Sequence, residues 1–89
     1  MRWNEWTKIP FPDGASQLDI NGVDLIEIDT FSSGCISAYV DNRGKLDRDR
    51  IEILRNCTGD LDSILGELTG EIGDYFSELS NISHQVLSL

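Results

Sequence analysis

Two cysteines, Cys35 and Cys57, and one histidine, His84, are the chain's only thiols and its only imidazole. A nucleophilic cysteine needs an imidazole within hydrogen-bond reach and a third group to orient that base. Cys57 and His84 could meet across a helical hairpin, but no flanking motif marks either one. Reactive thiols also need an electropositive, partly exposed setting. The expectation is therefore two buried structural thiols and a solvated His84, which falls beside Ser83 on the polar side of a helical stripe. A small enzyme or accessory subunit using Cys35 or Cys57 is the alternative, and no catalytic residue is assigned.

Metal and cofactor chemistry finds less support. Structural zinc takes about four nitrogen or sulfur ligands in spaced pairs, more than two separated cysteines and one histidine supply. A calcium loop begun at Asp41 would place Glu52 correctly at its end, but Arg43 and Lys45 occupy two positions that must supply oxygen. Gly66, Gly70 and Gly73 neither follow a strand nor precede a Lys-Ser or Lys-Thr pair, so no phosphate-cradling loop exists. Gly66 and Gly70 form a small-residue step of the kind that permits close backbone approach. No metal and no cofactor is expected.

Binding surfaces are better defined. Glu67, Glu71, Asp74 and Glu78 recur at four, three and four residues, so they run along one side of a helix. Such a row is the polar face of an ordinary amphipathic helix, or an acidic ridge that meets a basic partner as inhibitor and immunity proteins do. Trp3, Trp6 and Phe11 cluster with two prolines near the N-terminus, and tryptophan is favoured at interfaces for its large area and single N–H donor. They are expected to lie with Val23, Leu25 and Tyr39, as intramolecular cover or as a partner surface.

Charge narrows the partner. Sixteen acids against seven Lys and Arg leave a formal charge of −9, which repels phosphate backbones and anionic lipid and argues against nucleic acid or membrane partners. Arg43, Lys45, Arg48, Arg50 and Arg55 lie in one stretch, and no Lys or Arg follows. No apolar run approaches the ~20 residues of a membrane span. The N-terminal stretch lacks the apolar core of a signal peptide. A cytoplasmic protein is expected, working through a protein partner or as a homodimer.

Residues 1–89 are short enough for one domain only. Gln17–Ile20 and Val23–Asp29 flank Asn21-Gly22, the strongest short hairpin signal. Phe31–Gly34 reads as a second reversal, and Cys35–Val40 as a third strand. On a period of two, Leu18, Ile20, Ile26, Ile28, Ile36, Ala38 and Val40 share an inner face. Val23, Leu25, Cys35 and Tyr39 make the outer face half apolar.

Asp47 then caps a helix, with Leu46 and Ile51 placed as a hydrophobic staple. From Leu54 through Cys57, Leu61, Leu65, Leu68, Ile72, Tyr75, Leu79 and Ile82 to Val86, apolar residues step by three and four, widened by Ile64, Phe76 and Leu87. A single helix over this stretch would be roughly 60 Å long, too long for so small a domain to cover. A break is expected at Thr69-Gly70, with Thr58-Gly59-Asp60 as the competing site.

The spacing of Ile9-Pro10-Phe11-Pro12, Gly22-Val23-Asp24 and Gly34-Cys35 resembles that of short bacterial proteins without an assigned activity, and implies no function. The fold expected is α+β: a three-stranded antiparallel β-meander over about 17–40, packed on by a helical hairpin over about 47–68 and 70–88. The N-terminal segment would be irregular or an edge strand. The function expected is a non-catalytic protein-binding domain, with an acidic inhibitor or immunity-type protein for a basic target as the alternative.

Overall fold

The computed structural model describes residues 6–88 and is mostly helical. Three helices carry it: α1 (Leu25–Asp41), α2 (Arg48–Ile64) and α3 (Gly70–Leu87). Single 3-10 turns occupy Ala15–Gln17 and Leu65–Glu67. The only β-structure among the described residues is a two-residue ladder, β1 (Asp19–Ile20) against β2 (Val23–Asp24), with Asp19 opposite Asp24 and Ile20 opposite Val23. The three-stranded meander expected over 17–40 is therefore not present, and the α+β assignment is corrected to a mostly helical architecture, with these three helices among the described residues.

The reversal at Asn21-Gly22 does form, with both residues at positive φ (53° and 77°) as a tight hairpin turn requires. What the hairpin signal could not reveal is where the second strand stops. Asp24 takes an extended conformation, and its carboxylate accepts from the Ile26 and Glu27 amides at 2.9 and 3.4 Å. That is an N-cap, and the chain enters α1 at the next residue. Within α1 the buried residues are Leu25, Ile28, Ser32, Cys35 and Ile36, a spacing of three and four.

Two features masked this helical stripe. Ser32, only 1% exposed, interrupts its apolar run, and the outward face retains Ile26, Phe31 and Val40, which are roughly half exposed. The inner strand face expected from alternation is accordingly divided. Ile28 and Ile36 are buried, whereas Leu18, Ile26 and Val40 face solvent. Phe31–Gly34 is continuous helix rather than a reversal.

A Schellman turn ends α1. The Gly44 amide reaches back to the Tyr39 carbonyl at 2.8 Å and the Arg43 amide to Val40 at 3.3 Å, with Arg43 left-handed at φ 56°. Asp47 then caps α2 by accepting from the Arg50 amide at 2.8 Å. Arg50 stands where a capping box has an acid, and its guanidinium turns back onto the Asp47 carboxylate instead.

α2 runs through Gly59 unbroken; the Thr58 hydroxyl donates to the Leu54 carbonyl four residues back at 2.7 Å, a bond made inside the helix rather than a cap that starts a new one. The chain turns at Leu65–Gly70, where Gly70 has φ 63°. The longest extent of the molecule is 33 Å, so the two arms must fold back on one another. Of the helical stripe, Leu54, Leu61, Ile64, Leu68, Tyr75, Phe76, Leu79, Ile82 and Val86 are buried, and they form the core together with Ile28 and Ile36 of α1.

Gly73, rather than the Gly66–Gly70 step, permits the close approach at this turn. A Cβ on Gly73 would stand 2.8 Å from the Leu68 carbonyl oxygen, while Gly66 and Gly70 have open space around theirs. Gly73→Ala is expected to destabilise by about 1–3 kcal/mol, since a backbone atom must move to admit the methyl group. Gly66→Ala should not. Paired urea midpoints check the contrast.

Candidate functional site

The segment preceding the first 3-10 turn is held against α3 by Tyr75. The Trp6 indole N–H donates to the Tyr75 carbonyl at 3.2 Å, and the two rings lie 4.8 Å apart by centroid. Phe11 meets Tyr75 edge-on at 5.9 Å and Phe76 at 6.1 Å. Trp6, Tyr75 and Phe76 are buried. This aromatic cluster lays Ile9–Pro12 alongside the first turns of α3 and leaves a groove between them.

The groove is an open cleft of about 520 Å³. One wall is Ile9, Pro10, Phe11 and Pro12, with Ile9 48% exposed. The other is the acidic side of α3: Glu71, Asp74 and Glu78. Tyr75 closes the floor, Asp13 adds a further carboxylate, and among the described residues no Lys or Arg lines the cleft. Three of the four residues of the expected acidic ridge therefore come together. Glu67 does not join them: it sits in the 3-10 turn before α3, and Asn21 Nδ2 donates to it at 3.5 Å.

The expected aromatic surface resolves differently. With no outer sheet face, Trp6 and Leu25 are core residues, while Val23 and Tyr39 are half buried against that core. Trp3 lies outside the described residues. Of the wall at 9–12, Phe11 alone was expected at a surface, and with a sheet rather than with α3. The wall's signal was the pair of prolines at 10 and 12, which keep that stretch out of any helix and out of the interior of a sheet.

Tyr75 also reaches α1. Its hydroxyl donates to Asp29 Oδ1 at 2.6 Å. Burial raises the Asp29 carboxyl above its ordinary value and outweighs the lowering by that hydrogen bond. Burial and the adjacent carboxylate likewise push the Tyr75 hydroxyl far up, so its proton stays in place as the donor.

The remaining reactive side chains are arranged for structure. Burial raises both the Cys35 and Cys57 thiols, which disfavours thiolate, and at Cys57 it outweighs the lowering effect of Ser32. His84 does not meet Cys57. Its Nε2 stands 2.7 Å from Asp62 Oδ2, and the Ser80 hydroxyl donates to Asp62 Oδ1 at 2.6 Å. Ser80 and His84 thus share one carboxylate but do not hydrogen-bond each other, so the histidine is not placed to take the serine's proton.

Among the described residues no cluster of His, Cys, Asp or Glu could hold a metal ion, and no helix is long and apolar enough to cross a membrane. No family model, curated protein or solved structure matches the chain.

Two outcomes follow from these environments. Because the folded state holds the Asp29 proton more tightly than the unfolded chain, Asp29 favours folding below the ordinary carboxyl value of 3.8. It loses that contribution as pH rises through the raised value. Asp29→Asn keeps an acceptor for Tyr75 without the charge, so its stability relative to wild type should improve from acid to neutral pH. A pH-independent difference in urea midpoint would contradict this. Separately, both thiols should react with a disulfide reagent at neutral pH more slowly in the folded protein than in denaturant.

Proposed function

We propose that the chain is a small, non-catalytic cytoplasmic domain that binds another protein through the groove between Ile9–Pro12 and α3. The observation that carries this reading is the pairing of walls: an apolar wall with a half-exposed isoleucine faces the exposed carboxylates of Glu71 and Asp74, and among the described residues no Lys or Arg lines the space between. Isolated exposed apolar residues are ordinary, but a concave apolar strip rimmed by charge of one sign is what a recognition site presents.

The sign of the rim selects the partner. A second copy meeting this one groove to groove would bring carboxylates against carboxylates, whereas a basic segment gains from every contact. The acidic-inhibitor reading thus describes the same groove with a basic target. A catalytic role for either cysteine draws no support from thiols whose surroundings favour the protonated form.

The test is affinity capture from the native cell with three baits: wild type, Ile9→Asp, and the pair Glu71→Gln with Asp74→Asn. All three positions are exposed, so circular dichroism should show unchanged folding. Wild type should retain a partner at low salt and release it at high salt, and each variant should bind it at least about tenfold more weakly. Retention that is equal across all three baits would overturn the groove as the binding surface.

A further inference from the structure

We propose that the chain carries a second site, for a small aliphatic monocarboxylate: one anionic head on an apolar tail. The site lies where α1 and α3 end and α2 begins. It shares no residue with the groove at 9–12 and does not depend on the role given to that groove.

The site is an open pocket of about 430 Å³, within the roughly 300–1,000 Å³ of small-molecule sites. Four pieces of chain build it. Tyr39 stands in the last turn of α1, Lys45 and Leu46 follow the Schellman turn, Ile51 and Arg55 sit one turn apart near the start of α2, and Leu87 ends α3. Leu46, Ile51 and Leu87 are only partly buried, so the apolar floor is left unsealed.

Charge selects the occupant. The chain as a whole carries −9, yet Lys45 and Arg55 line this pocket and, among the described residues, no carboxylate does. Neither cation has an ion-pair partner among the described residues. Asp47, two residues from Lys45, is held by Arg50, and Glu52, one turn before Arg55, makes no bridge to it. The Tyr39 hydroxyl stands 3.5 Å from the point a Cβ on Gly44 would occupy, and it too has no hydrogen-bond partner among the described residues. Two cations and a hydroxyl donor over an apolar floor match a ligand whose head is fixed by polar groups and whose tail gains from burial.

Head and tail are both required. A chain this acidic repels free anions at long range, and exposed ion pairs contribute little alone. A short acid therefore gains too little, while an uncharged alkyl chain leaves both cations unused. The same field favours a carboxylate over a phosphate monoester, whose charge is nearly twice as large. Basic side chains near the ends of α1 and α3 also complement the helix dipoles, a role that needs no ligand.

The experiment titrates the full, isotopically labelled chain with octanoate, octanol, acetate and octyl phosphate while the amide spectrum is followed. Octanoate should move the amides of Tyr39, Leu46, Ile51 and Leu87, and bind at least about tenfold more tightly than octanol or acetate. Lys45→Gln combined with Arg55→Gln changes two exposed residues, so circular dichroism should show unchanged folding. That variant should bind octanoate at least about tenfold more weakly and octanol equally well. Octanoate no tighter than octanol or acetate, undiminished binding by the variant, or shifts confined to other residues would each overturn the site. A lowered urea midpoint in the variant, with no octanoate binding by wild type, would overturn it in favour of the helix-end role. Octyl phosphate binding more tightly than octanoate would overturn the carboxylate head.

Discussion

Everything on one side of this molecule depends on how Tyr75 is satisfied. A buried tyrosine must hydrogen-bond its hydroxyl and its main chain while its ring packs. Here each demand is met by a different element. The carbonyl receives the Trp6 indole, the hydroxyl goes to Asp29 on α1, and the ring sits against Trp6, Phe11 and Phe76. One residue of α3 thereby holds the N-terminal segment and α1. The groove exists because that segment has been fastened to α3 at its two aromatics, with the prolines and Ile9 spanning the interval between.

A charge sits at the end of this arrangement, and its energetics are mixed. Asp29 gives the Tyr75 hydroxyl a strong acceptor, yet burial raises its carboxyl, which means the charged form is less well solvated there than in water. A neutral amide would supply the same acceptor at lower desolvation cost. The hydrogen bond therefore contributes position more securely than it contributes stability.

The second half of the fold was legible in the sequence because its stripe is uninterrupted and α2 opens on a side-chain cap, although Thr69 before α3 makes no such bond. Asp47 caps where a cap was expected, and the turn falls at Gly70 because a helix of that length has nothing to lie on. The first half misled for a definable reason. Asn21-Gly22 is a true hairpin turn, and the turn was extrapolated into strands that stop after two residues. Asp24 was counted as a strand residue, although an aspartate before Leu-Ile-Glu can cap a helix as readily as it can end a ladder. With Ser32 buried and Ile26, Phe31 and Val40 exposed, α1 has too little contrast between its faces for period alone to identify it. The acidic row was legible from spacing, but its opposite wall was not. Nothing in Ile9–Pro12 tells which helix that segment will lie against; only the distant pairing of Trp6 with Tyr75 decides it.

The carboxylate of Asp62 has a consequence for aim. It grips two positions of α3 one turn apart, Ser80 and His84, and so acts as an angular stop on that helix. A slip of one residue would turn α3 by roughly 100° about its own axis. That rotation would swing Glu71 and Asp74 away from Ile9 and present another flank of the helix in their place. The pin stands beyond Glu78 and more than two turns from Glu71, yet it helps set the azimuth at which the acidic row faces its apolar counterpart.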